Sequence, residues 1–311
     1  MMKQFIKTMR KNGIFLLMAL PGALWMIFFF YIPVFGNVVA FKDFRFSSQG
    51  GFIRSVIESD WVGLKNFEFL FSSENAWIIT RNTVLYNLGF IFIGTACAVA
   101  LAVIMSMLRN KRRVKTYQTA MMFPYFLSWI IISFFVYSFL SPDKGVVNRL
   151  MVNMGKSPVN WYTDPTYWPF IIILIGIWKN LGYQSVIYFA SIMGIDPTYY
   201  EAAKIDGANR WQQIRHVTIP QIIPLISIMT ILAVGNIMRA DFGLFYNVPR
   251  NSGSLTAVTQ VIDTFVYKGL AASGDLGMSS AAGLYQSVVG FIILMLANTV
   301  VRKLDPESSL F

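Results

Sequence analysis

Lys179 stands within a long apolar stretch, with Asn180 and Gln184 as an i, i+4 pair beside it and Trp178 and Tyr183 as aromatic neighbours. An ionisable side chain inside a membrane span costs roughly 3 kcal/mol or more, which makes it a functional-site hypothesis by default. Polar groups set against aromatic faces bind sugars, so this cluster fits a carbohydrate path. The competing use is an interhelical ion pair or hydrogen bond that fixes a helix bundle, and the residue types serve both equally. Asn236, Arg239 and Asp241 follow in a later apolar stretch, and Tyr285, Gln286 and Ser287 in the last one. They can face a solute or pair with other helices. Asp241 reaches Lys179 only if the spans are tilted or offset.

Other chemistries find little support. His216 is the single histidine, and neither His-Glu-x-x-His nor Gly-x-Ser-x-Gly occurs. Gly155-Lys156-Ser157 has the end of a phosphate loop, but position 150, where that loop needs glycine, is Leu150. The run Arg109-Asn-Lys-Arg-Arg-Val-Lys115 has the composition of a nucleic-acid patch, yet it is wedged between two apolar stretches a few residues apart. Its expected role is to hold that loop on the inner side of a membrane. Cys97, the single cysteine, excludes an internal disulfide framework and is expected to be a small packing residue.

The elements that must position these residues follow from composition. Of 311 residues, 55% are hydrophobic and 13% are charged, and the mean hydropathy is +0.54. Soluble domains carry about 25% charged residues, so the deficit is one of water-facing surface. About 20 helical residues cross the hydrocarbon layer, and backbone polar groups there must be paired within the chain. The reading is an all-α integral membrane protein with six spans, at roughly 14–38, 82–108, 116–140, 167–193, 221–246 and 280–301. Pro21, Pro33 and Pro124 are expected near helix ends or kinks. Residues 1–13 form a basic N-terminus, 14–301 the transmembrane domain with its core at roughly 82–301 and an inner loop at 194–220, and 302–311 the tail. With the N-terminus inside, the inner segments hold 14 basic against five acidic residues, and the outer segments nine of each. Both ends are therefore expected on the cytoplasmic side, and the net charge of +11 reflects topology rather than nucleic acid.

The loop between spans four and five is the most structured polar segment. Asp196 followed by Pro197 is a helix start, a capping side chain before a residue preset for the first helical position. Residues 197–206 suit a short helix, Gly207 its C-terminal cap, and 208–216 a second short helix that Pro220 separates from the next span. Ala202, Ala203 and Ala208 leave the surface shallow, so another surface can approach the backbone closely.

Glu201-Ala202-Ala203, Gly207 and Val217-Thr218-Ile219-Pro220, at these spacings, resemble the EAA motif of bacterial ABC importer permeases, with Val217 and Ile219 as conservative departures. Glu201-Ala-Ala-x-x-Asp206-Gly207-Ala208, with Pro224 beyond, resembles the carbohydrate-uptake branch. Leu20-Pro-Gly22, Ala40-Phe-Lys-Asp-Phe44, Trp61-Val-Gly-Leu-Lys-Asn-Phe67, Trp161-Tyr-Thr-Asp-Pro165, Ala240-Asp-Phe242 and Val261-Ile-Asp-Thr-Phe-Val-Tyr267 extend the likeness to the polysaccharide-type, LplB-like permeases over nearly the whole chain.

The resemblance implies a type I ABC importer permease fold with cytoplasmic coupling helices, in a bacterial plasma membrane. It implies a second homologous permease, a cytoplasmic ATPase dimer that uses ATP and Mg, and an extracellular solute-binding lipoprotein that delivers a carbohydrate, with an oligosaccharide favoured. This chain would bind no cofactor and no metal, and it would not be an enzyme. Glu201 is the position whose carboxylate contacts the ATPase groove, Ala202 and Ala203 give close contact, Gly207 makes the turn, and Asp206 and Pro220 complete the coupling motif. An ion-coupled secondary transporter is the alternative. It would usually show inverted repeats and interrupted, charged helices, and no convincing internal repeat is present.

Overall fold

A computed structural model describes residues 12–47, 50–68, 70, 74–108 and 110–304. The expected basic N-terminus up to residue 11, Arg109 of the basic run and the tail from residue 305 lie outside the described residues. The chain divides into two compact units, residues 1–72 with 269–284, and residues 73–268 with 285–311.

The first unit opens with α1, Gly13–Phe41. None of its side chains from Gly13 to Phe35 is buried, as expected of an apolar helix built to face lipid. It carries Pro21 and Pro33, and a turn of π-helix, Ile27–Tyr31, ends two residues before Pro33. The wider π turn accommodates a residue that has no N–H and whose ring crowds the preceding carbonyls. Beyond α1, strands β1, Lys42–Asp43, and β2, Asp60–Trp61, pair antiparallel with Lys42 opposite Trp61. Between them lies α2, Phe52–Glu58. Lys42 is buried beneath this helix, and its Nζ donates to the carbonyls of Val56 at 2.6 Å and Ser59 at 3.0 Å. A cation at the C-terminal end satisfies carbonyls that have no partner within the helix and complements the helix dipole.

The second unit holds α3, Ala76–Ser106; α4, Lys111–Phe126; α5, Trp129–Leu140; α6, Val146–Asn153; α7, Pro165–Met193; α8, Pro197–Ile205; α9, Arg210–Gly235; and α10, Phe242–Asn247. Two further helices, α11, Ile262–Ser273, and α12, Leu276–Leu304, belong partly to each unit. One buried cluster gathers Tyr86, Ile132, Trp168, Ile172, Leu244 and Val248. A second gathers Ala98, Ala102, Tyr188, Ile192 and Ile222, where small residues on α3 let α7 come close. Gly182 on α7 serves the same end, because a Cβ there would overlap the Met121 carbonyl of α4. The segment between α5 and α7 is organised by the buried Asn148, whose amide bonds Pro142, Val159 and Trp161.

Among the described residues, five helices are long and apolar enough to cross a membrane, α1, α3, α7, α9 and α12, and α4 with α5 makes a sixth if counted as one span. Two boundaries differ from expectation. The span read as 116–140 is broken: α4 and α5 meet at 97°, because the helix ends just after Pro124 and Ser128 caps a new one by accepting from the Ile131 N–H. The span read as 221–246 instead runs over Arg210–Gly235 and ends at Asn236. Arg239 lies beyond that helix, and Asp241 caps α10 by accepting from the Leu244 N–H.

Candidate functional site

The segment 194–220 is a helical hairpin. Asp196 caps α8 by accepting from the Thr198 N–H at 2.9 Å, with Pro197 at the first helical position. That backbone bond, together with the Thr198 hydroxyl, holds the Asp196 carboxyl below its ordinary range. At the other end Gly207 adopts φ +78°. Its N–H donates to Lys204 O at 3.0 Å and the Ala208 N–H to Ala203 O at 2.8 Å, the paired bonds of a Schellman turn. Asn209 and Gln212 then form a capping box that starts α9. The Tyr200 and Thr218 hydroxyls lie 3.0 Å apart and tie the two arms together.

The second arm differs from expectation, because Pro220 does not separate it from the following span. A π turn, Ile214–Thr218, ends two residues before Pro220, and helix continues from Arg210 to Gly235. The register shift absorbs the proline as it does before Pro33. The hairpin's second arm and the membrane helix are thus one element. On the hairpin, Glu201 and Ala202 are exposed, and Ala203, Asp206, Gly207 and Ala208 help line a depression of about 360 Å³. Ile205 and Trp211 are 87% and 69% exposed. Motif matching did not single them out, although large apolar residues in a polar loop are a readable signal of docking.

The polar residues of the spans fall into three places. Lys179 is buried on α7, and its Nζ donates to the carbonyls of Tyr125 and Leu127, both at 2.7 Å, with Pro124 O at 3.4 Å. It also lies over the rings of Tyr125 and Trp129. Asp241 accepts from Trp129 Nε1 at 2.8 Å, and Tyr183 stacks on Tyr125 with ring centres 4.7 Å apart. Four groups named from sequence, Lys179, Tyr183, Asp241 and Pro124, therefore meet at the α4–α5 break. The second place is the neighbourhood of Asp263. Gln286 is buried there and donates to Met238 O at 2.7 Å and to Asp263 Oδ2 at 3.2 Å. Asn180 is in neither group, since its amide donates to Gly176 O on its own helix rather than pairing with Gln184.

The third place is a cavity of about 240 Å³ between α3, α7 and the end of α9. It brings together Gln184, Asn236 and Arg239 with Asn87, Thr95 and Tyr188. Phe90, Ile91, Met229 and Ala233 supply its apolar walls, and a π turn of α3, Phe90–Gly94, runs alongside. Asn87 escaped the sequence reading, although the rule that singled out Lys179 applies equally to an amide in an apolar stretch. Its Nδ2 donates to the carbonyls of Thr83 at 3.0 Å, Ile237 at 2.9 Å and Arg239 at 3.0 Å. Asn87 thereby supports the non-helical backbone that follows α9. The Arg239 guanidinium donates to Ser287 Oγ at 3.1 Å.

The chain matches the family described as binding-protein-dependent transport system inner membrane component over residues 98–306. It is 32% identical to the polygalacturonan/rhamnogalacturonan transport system permease protein YteP of Bacillus subtilis, covering 97% of this chain and 91% of that protein. It is 30% identical to the protein LplB of the same organism, covering 97% and 93%. Among solved structures, one is a bacterial alginate ABC transporter in complex with an alginate pentasaccharide-bound periplasmic protein. A chain of that complex superposes with a TM-score of 0.85 at 30% identity, covering 96% of this chain and 97% of its own. A helical hairpin continuous with a membrane helix and a match along nearly the full length agree: the chain belongs to the binding-protein-dependent transport system inner membrane component family, the permeases of ABC importers.

Proposed function

We propose that this chain forms half of the transmembrane path of an ATP-driven carbohydrate importer in a bacterial plasma membrane, with both chain ends in the cytoplasm. A second, homologous permease completes the path, an extracellular lipoprotein delivers an oligosaccharide, and a cytoplasmic ATPase dimer that uses ATP and Mg drives the cycle. The chain itself holds no cofactor. One observation carries the reading: the second arm of the 194–220 hairpin is continuous with α9, the helix whose far end abuts the cavity at Asn236. An ATPase docked on Glu201, Ala202, Ala203, Asp206 and Gly207 would displace that helix through the π turn before Pro220. Exposed Ile205 and Trp211 would supply apolar contact for such docking. The relatives support the cargo class, since YteP is named for polygalacturonan and rhamnogalacturonan and the alginate transporter was captured with an alginate pentasaccharide-bound periplasmic protein.

The test is uptake of labelled oligosaccharides by the complete complex in proteoliposomes. Uptake should require the ATPase subunits and ATP. Uptake driven by a proton or sodium gradient with no ATPase present would instead establish an ion-coupled secondary transporter.

A further inference from the structure

We propose that the cavity between the 194–220 hairpin and the ends of α3 and α7 binds the phosphate of an acidic phospholipid headgroup. The inference needs only that the chain spans a membrane, whatever it carries. The cavity holds about 570 Å³. Ser106 and Met107 line it at the end of α3, Met193 at the end of α7, Tyr200 and Lys204 on α8, and Arg210 on α9. Lys204 and Arg210, one on each arm of the hairpin, are the charged side chains of its described lining, and no carboxylate is among them. The hairpin's acids, Asp196, Glu201 and Asp206, all lie outside the lining. Both cations are exposed, and neither takes part in the two ion pairs among the described residues.

Depth favours a headgroup. The spans α3 and α7 are 31 and 29 residues long. At about 1.5 Å per residue they reach roughly 44–46 Å, against about 40–45 Å for a bilayer with its headgroups. Their ends at Ser106 and Met193, and the cavity with them, therefore lie at headgroup depth. A guanidinium meets phosphate oxygens two-on-two and an ammonium meets them as a point charge, so the two cations can share one phosphate between the arms. Met193 and Met107 are 62% and 39% exposed and give a lipid's glycerol and acyl carbons apolar surface beside the charges. A soluble phosphate has no use for that surface, which selects the lipid as the source. Lys111, Arg112 and Arg113, exposed at the start of α4, add to the positive field that draws acidic lipid. A headgroup held there ties both arms of the hairpin to the ends of two spans.

The test is the complete complex in nanodiscs, with a fluorescent non-natural amino acid in place of Met193 and brominated phosphatidylglycerol or brominated phosphatidylcholine as quencher. The ratio of the two quenching efficiencies reads the local preference for the acidic lipid. It should exceed one in the parent and fall about three- to fivefold in Lys204→Gln and in Arg210→Gln, the scale of one cation near an acidic surface. Lys204→Arg should keep it. Arg215→Gln removes an exposed charge from the same arm outside the lining and should leave the ratio unchanged, as should added inorganic phosphate. A ratio equal in the parent, Lys204→Gln and Arg210→Gln, or one that falls as far in Arg215→Gln, overturns the proposal. Loss of the preference on adding phosphate assigns the cavity to a soluble anion and overturns the lipid source. Loss of the ATPase subunits from the Lys204→Gln complex with the ratio intact assigns the cavity to that partner and overturns the proposal too.

Discussion

The ammonium of Lys179 lies 2.7 Å from the Leu127 carbonyl oxygen, across a gap of 52 residues in sequence. It does for the end of α4 what Lys42 does for the end of α2 in the other unit. Both lysines occupy carbonyls left open where a helix stops. At Lys179 the need is greater, because the break falls within what would otherwise be a single apolar span, where water is not available to satisfy the backbone. The 97° bend is thus stabilised from outside its own helices.

Replacing Lys179 with methionine keeps the length of the side chain and removes the donor. The Tyr125 and Leu127 carbonyls then lose their partner, at a cost of about 2–3 kcal/mol. Thermal unfolding of the purified complex should show a clear loss of stability, and Lys179→Arg should recover part of it. A variant as stable as the parent would show that these carbonyls find other partners.

Gly207 adopts φ +78°, where a Cβ costs roughly 1–2 kcal/mol. Gly207→Val should therefore raise amide hydrogen exchange across α8 and the start of α9, and Gly207→Asn, a residue tolerant of this region, should raise it less. Equal protection in all three proteins would contradict the Schellman assignment.

The Asp196 carboxyl accepts from the Thr198 N–H, which favours its ionised form. A depressed folded pKa means that the cap's contribution is present above the unfolded value of about 3.9 and is lost as pH falls through the folded value. The NMR midpoint of the Asp196 carboxyl should lie below that of a free aspartate and rise towards it when Thr198 is changed to proline. A midpoint at or above the free value would remove the cap from the account.

The hairpin was legible in sequence because its determinants are local. Asp196-Pro197 and Gly207 each act on neighbouring backbone, and the structure uses them as read. The continuity of the second arm was not legible, since Pro220 is ordinarily a stop and the compensating π turn has no residue signature of its own. The break in the third span was only half visible. Pro124 marked it, but the brace comes from Lys179 on α7 and from Asp241 through Trp129, contacts that spacing cannot reveal. The fifth span was read too long for a similar reason. Apolar residues continue past Gly235, at Ile237, Met238, Phe242, Leu244 and Phe245, and the helix can end there because Asn87, far away in sequence, takes the carbonyls of Ile237 and Arg239.

The central claim is that the 194–220 hairpin receives the force of an ATPase. Its most direct test is glycan-stimulated ATP hydrolysis by the complete complex carrying Glu201→Ala. Glu201 is exposed, so the substitution should leave folding and assembly intact. Loss of a contact at a docking interface should lower stimulated hydrolysis by about tenfold or more. Stimulated hydrolysis and uptake that remain at the parental level, in a complex of parental composition, would contradict the account.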